Sequence, residues 1–132
     1  MVVVVSPTHK FGKRQSIKIT ELDNEPFIAF ERNIPTRKLL DKTLRKYNVQ
    51  PKITMTLDNV ETIKRIVENG TGMSIVPENS IKDEVKRGLL AGVELDDILI
   101  ERDIAVIAKK GRILSNAENK FIELLREEFG PR

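Results

Sequence analysis

Residues 58–77, DNVETIKRIVENGTGMSIVP, constrain the fold more than any other stretch. Asp58 and Glu61 have the spacing of a capping box, and Val60, Ile63, Ile66 and Val67 recur along one helical face. Gly70 stands where a left-handed residue closes a helix, and Gly72 lets the backbone pass close to its neighbours. Met-Ser-Ile-Val then reads as a short buried strand, and Pro77 hands the chain to another helix. Phosphate-binding loops place their glycines after a strand and before a helix, so that helix amides face the anion. Here the helix comes first. These glycines end a helix and turn the chain into a sheet.

The rest of the chain repeats this alternation. Val2 to Val5 is an unbroken β-branched run, expected to form a strand buried on both faces, and Pro26 to Phe30 reads as a second. Between them the basic stretch from Ser6 to Asn24 is irregular apart from a turn near its end. Thr36 is placed to cap a helix running to Tyr47, with Leu40, Leu44 and Tyr47 as its apolar stripe. In residues 52–57, Ile53, Met55 and Leu57 alternate with Lys52, Thr54 and Thr56, the pattern of a half-buried strand. A short helix is expected from Pro77 or Glu78 to Arg87, stopped by Gly88, with strands near residues 89–95 and 102–108. Ser115 and Glu118 form a second capping box, opening a final helix to Phe129. Strands alternating with helices through short turns imply an α/β fold, a mostly parallel sheet flanked by helices.

Composition removes several chemistries. The chain has 132 residues, enough for one modest domain, and its 39% apolar but 5% aromatic content implies an aliphatic core. With no cysteine, disulfides, thiolate metal sites and cysteine catalysis are excluded. His9 is the single histidine, so paired-histidine metal sites fail. It precedes a basic loop rather than a nucleophile turn and reads as a strand-end residue bonded to backbone. No metal, no cofactor and no enzymatic activity are expected. The net charge of +3 arises from 23 basic and 20 acidic residues, a mixed surface that argues against nucleic-acid binding by this chain. No apolar run has the length of a membrane span, and MVVVVSPT lacks the charged flank of a signal peptide, so a cytoplasmic protein is expected.

Small molecules in open α/β sheets collect beyond the carboxyl ends of strands, where helices begin. Two such corners are legible, at residues 29–37 and 54–59. Thr36, Thr56 and Asn59 offer neutral hydrogen-bonding groups, and Arg32 and Arg37 could pair with a carboxylate. Glu31 and Asp58 oppose an anion. Thr36 and Asp58 can equally be helix caps, which is the favoured reading of Asp58, while Thr56 and Asn59 are open to either role.

Taken in order, VVVVSPTHK, SIKITELDNEPFIAF, IKRIVENGTGMSIVPENSI, GLLAGVEL and LSNAENKFIELL resemble the C-terminal half of the effector-binding region of LysR-type transcriptional regulators. Lys10 stands where that family usually has proline after the histidine, and Thr20-Glu21-Leu22 shifts its Asp-Leu pair. The resemblance implies a periplasmic-binding-protein-like (type 2) regulatory subdomain with an incomplete first lobe. Residues of about 6–100 would be subdomain II, and 1–5 with 101–132 the crossover strands and terminal helix. The family's DNA-binding helix-turn-helix has no counterpart in these residues, so direct DNA contact is not expected.

What it implies functionally is a ligand-sensing fragment. A small effector, an organic acid or another metabolite, would bind in the cleft between subdomains. Carried over by motif, its site would include Ser6 and Thr8, then Phe30 and Glu31, then Thr56, Leu57, Asp58 and Asn59, with Arg32 and Arg37 as anion partners. Phe121, Ile122, Leu125 and Phe129 would form an apolar helical stripe lacking its usual cover. It implies a homo-oligomer, or pairing with an intact LysR-type regulator. The alternative is a solute-binding protein of the same periplasmic-binding fold.

Overall fold

The computed structural model describes residues 1–103 and 105–130. The chain divides into two compact units, Met1–Arg102 and Asp103–Arg132. The first holds six strands, β1 (Val2–Val5), β2 (Ser16–Ile17), β3 (Pro26–Phe30), β4 (Lys52–Leu57), β5 (Ser74–Val76) and β6 (Ala91–Leu95). Its helices are α1 (Pro35–Lys46), α2 (Val60–Glu68) and the short α3 (Lys82–Lys86), with 3-10 turns at Ile19–Leu22 and Glu78–Ile81.

The strands hydrogen-bond in the order β2-β6-β1-β5. An isolated parallel bridge between Phe27 and Met73 joins β5 to β3, and β3 pairs with β4. Pairing of β2 with β6 and of β3 with β4 is parallel, as the strand–helix alternation requires. Strand β1 departs from the mostly parallel expectation and runs antiparallel to both neighbours, with Val2 opposite Val76 and Val5 opposite Ala91. Neither neighbour follows β1 directly in the chain, so no single crossover connection fixes its direction. Lying centrally, it is covered on both sides, and Val3, Val4 and Val5 are fully buried.

Helix α2 packs Ile63 and Val67 against this sheet. Its end follows the expected course: Gly70 adopts φ +77 and its amide reaches the Val67 carbonyl. Gly72 lies so close to β3 that a Cβ there would sit 2.8 Å from the Pro26 carbonyl oxygen.

Several local expectations need correction. Thr36 does not cap α1. The helix begins at Pro35 with Ile34 as the extended N-cap residue, and Thr36 is buried inside the first turn. Proline supplies a helical φ at that position and holds the residue before it extended. Strand β4 does not alternate cleanly either, because its pairing shifts after Phe27–Ile53 so that Ile28 faces Met55. The extra residue, Thr54, is a bulge: Ile53 shares a face with Phe27, while Met55 and Leu57 share the other with Ile28 and Phe30. Since β4 has no second neighbour among the described residues, Ile53 and Met55 remain exposed. The two-residue strand β2 was not foreseen within the irregular basic stretch.

In the second unit, α4 (Asn116–Phe129) starts at the expected capping box. Ser115 Oγ accepts from the Glu118 amide, and Glu118 Oε2 accepts from the Ser115 amide at 2.8 Å. Of the expected apolar stripe, Phe121 and Phe129 are exposed and Ile122 and Leu125 half-buried, with Leu124 adding to the exposed side. The strand expected at 102–108 includes Ile104, which lies outside the described residues; the others there form no strand. Val106 and Ile107 are strand-forming residues left exposed, without a ladder partner among the described residues.

Candidate functional site

Strands β3, β4 and β5 point the same way, so their carboxyl ends share one edge of the sheet. Phe30 pairs with Leu57 at that edge, and the Glu31 amide donates to the Leu57 carbonyl at 2.9 Å. Phe30 is buried and Leu57 half-buried, which makes them a floor. Around it Glu31, Arg32, Asp58 and Asn59 are exposed, and Thr56, opposite Ala29, is exposed on the other face of the strand pair. Both long helices of the unit begin here, α1 after residues 31–34 and α2 after Asn59. No side chain caps α1, so its first amides are left for other acceptors. Asn59 caps α2, its Oδ1 accepting from the Thr62 amide at 2.9 Å and its Nδ2 donating to Asp58 Oδ1 at 3.0 Å.

That geometry corrects the capping-box reading of Asp58. The residue with extended backbone and its side chain turned onto the helix amides is Asn59 (φ −138, ψ 155). Asp58 stands one position too early, and it orients the Asn59 amide instead.

Ser6 and Thr8 are not part of this corner. Because β1 runs against β5, its amino end lies beside Val76 and its carboxyl end beyond Ser74. At about 3.3 Å per residue, Ser6 lies roughly 13 Å along the strand from the edge that holds Phe30 and Leu57. Ser6 Oγ and Thr8 Oγ1 bond each other at 3.1 Å, in a turn where the His9 amide donates to the Ser6 carbonyl. His9 completes that turn, its Nδ1 accepting from the Phe11 amide at 3.2 Å. Burial lowers its pKa, partly offset by Glu25, in keeping with a neutral ring that accepts at Nδ1.

Arg37 is near the corner but otherwise engaged. Its Nε donates to Asp41 at 2.7 Å and its Nη1 to the Phe30 carbonyl at 2.8 Å, with the side chain nearly buried. The carboxylate it holds belongs to its own helix, and Arg32 is the exposed cation of the pair.

Two residues at this level escaped the sequence. Ser74 Oγ, fully buried, donates to the Ile28 carbonyl at 2.7 Å and ties β5 to β3. Lys64 is buried beside the apolar stripe of α2, and its Nζ donates to the Ser80 carbonyl at 2.8 Å and to Glu84 at 2.7 Å. Glu61 completes the group at 2.9 Å. Burial pulls the Lys64 pKa down, but the hydrogen bonds to Glu84 and Glu61 outweigh it and leave it raised. The bond from Lys64 correspondingly lowers Glu84. Its signal was available as a lysine next to Ile63 on the buried face, three residues after a glutamate.

Two depressions lie away from the corner. One of about 290 Å³ runs between α1 and the β3–β4 pair over Phe27, Leu40, Leu44 and Val49. Another of about 390 Å³ lies under α3 against Val2 and Gly92. Among the described residues no group of three or more His, Cys, Asp or Glu is placed to hold a metal ion, and no helix is long and apolar enough to cross a membrane.

A family model of the LysR substrate binding domain matches residues 1–130. The chain belongs to the LysR substrate-binding domain family. Its relatives in that family include a probable RuBisCO transcriptional regulator of Cyanidium caldarium, 33% identical over 124 residues, which are 92% of this chain and 39% of that protein. Another, from Cyanophora paradoxa, is 29% identical over 132 residues, 98% of this chain and 41% of that protein. The chain thus spans about two fifths of the length of the curated relatives it matches. The regulatory domain of Synechocystis PCC6803 CcmR, solved in complex with 2-PG, superposes with a TM-score of 0.79 at 24% identity, covering 96% of this chain and 61% of that one. The effector-binding domain of QuiR, solved in complex with shikimate, gives 0.79 and 24% over 96% of this chain and 59% of that one. The fold is therefore that of LysR effector-binding domains, the periplasmic-binding type 2 architecture.

Proposed function

We propose that this chain is the ligand-sensing subdomain of a LysR-type transcriptional regulator and is not an enzyme. It binds a small organic acid or related metabolite on the shelf at the carboxyl ends of β3 and β4. The observation that carries this reading is the convergence there of two strand ends, the starts of α1 and α2, and the exposed Arg32. Phe30 and Leu57 form the floor. Arg32 and the uncapped amides of α1 attract the acid, Asn59 bonds its neutral oxygens, and Glu31 and Asp58 temper the attraction. The fold relatives that carry 2-PG and shikimate support a small polar effector.

Residues of about 6–100 act as subdomain II, and 1–5 with 101–132 as the crossover segments and terminal helix. The second wall of the cleft comes from a first subdomain, and one wall alone binds weakly because it cannot surround a ligand. The mixed surface charge argues against DNA contact by this chain, and its site of action is the cytoplasm. The apolar side of α4, with Phe121, Ile122, Leu125 and Phe129, is covered by a second copy of the chain or by an intact regulator of the family.

Calorimetric titration with shikimate and with 2-PG tests the site. Arg32→Ala is expected to weaken binding by about tenfold, the usual worth of a charge-assisted hydrogen bond. Thr8→Ala, at the opposite edge, should bind as the wild type does. Loss of binding in the Thr8 variant with Arg32→Ala unaffected would move the site to the other end of the sheet.

A further inference from the structure

Lys64 is a buried cation with three partners drawn from three segments: Glu61 in the first turn of α2, the Ser80 carbonyl in the 3-10 turn, and Glu84 in α3. Each partner belongs to a segment that starts from the carboxyl edge of the sheet or follows directly on one. Glu61 lies two residues beyond Asn59, the cap of α2. Ser80 lies in the turn that leaves β5 through Pro77, and both its amide and its hydroxyl donate to the Pro77 carbonyl, at 3.0 and 2.6 Å. One ammonium group therefore ties the corner after β4 to the corner after β5. The β3 edge, with Phe30, lies between these strands.

Stability alone does not call for this arrangement. Removing the Lys64 ammonium and much of the Glu84 carboxylate from water is costly, while Glu61 stays exposed, and a well-packed apolar residue of similar volume often stabilises as much or more. An apolar side chain would fill the space but could not direct the Ser80 carbonyl or hold Glu61 and Glu84 in a common geometry. What the ion cluster adds is direction.

We infer that Lys64 is a positioning residue for the effector shelf, setting the spacing between the Thr56–Asn59 corner and the Pro77–Ser80 turn. The assignment of an effector to that shelf rests on the function proposed above. The spacing itself can be tested without a ligand. With Lys64 in place, the Thr62 amide on Asn59 and the Ser80 amide on Pro77 open together, because the cluster fastens one to the other.

Amide hydrogen exchange on the whole chain, resolved by residue, reads this directly. In Lys64→Met, exchange at Thr62 and Ser80 is expected to accelerate by about tenfold while the buried strands β1 and β5 keep their protection. Lys64→Arg should restore both amides. Glu84→Gln, which removes one partner and keeps the lysine, should loosen Ser80 more than Thr62 and serves if the methionine variant does not fold. Unchanged exchange at Thr62 in Lys64→Met, or equal loss of protection across the whole unit, would overturn the inference and leave Lys64 as packing alone. Failure of the wild type to bind shikimate or 2-PG would count against the effector reading and leave these exchange results standing.

Discussion

Gly70 and Gly72 stand one residue apart and answer different demands. At Gly70 the backbone is left-handed with open space around it, so Gly70→Ala meets only the cost of the conformation, about 1 kcal/mol. At Gly72 the obstacle is the Pro26 carbonyl oxygen 2.8 Å from any added Cβ. That carbonyl also accepts from the Met73 amide at 3.0 Å, so moving it breaks the contact that joins β5 to β3. Gly72→Ala is therefore expected to be the worse change, at about 2–3 kcal/mol. Urea unfolding of the two variants checks the order, and equal midpoints would refute it. Both glycines were legible because each answers to backbone geometry within a few residues. The bonds of Arg37 to the Phe30 carbonyl and of Lys64 to Ser80 and Glu84 were not. Whether a charged side chain faces solvent or a buried partner depends on elements brought alongside by the fold, and Ser80 and Glu84 are 16 and 20 residues away.

At the scale of elements, periodicity and capping signals located α1, α2 and α4, but registered two starts wrongly. Proline moved the first turn of α1 ahead of Thr36, and the extended backbone at Asn59 moved the cap of α2 one residue past Asp58. The second shift makes a direct test. Asn59→Ala should cost about 1 kcal/mol through loss of its bond to the Thr62 amide, whereas Asp58→Ala should cost a few tenths at most. Thermal unfolding of both variants decides it, and the reverse order would restore Asp58 as the cap. The bulge at Thr54 was beyond periodicity altogether. An alternating string looks the same whether or not one residue is extra, and only pairing with β3 reveals that Ile53 and Met55 face opposite sides.

For the molecule as a whole, the apolar side of α4 bears on assembly. Phe121, Leu124 and Phe129 are exposed at 62%, 51% and 60%, an apolar patch on a helix already stabilised locally by its capping box. Light scattering across a concentration series should show self-association, and Phe121→Glu should shift it toward the monomer because burying a carboxylate in that patch is unfavourable. A wild type that stays monomeric at high concentration would remove the second copy as the cover of α4.

The order of strands, helices and glycines was set by local chemistry: β-branched runs, capping residues, a helix stop and a proline each act within a few positions. That order, with the motifs it carries, was enough to identify the family and the class of fold. The tertiary structure alone decided which ends of the strands meet. Strand direction depends on how the chain crosses the sheet, which no local pattern encodes. The reversed β1 carried Ser6 and Thr8 to the edge opposite Phe30, Thr56 and Asn59. The same long-range packing made Lys64 the tie between two corners.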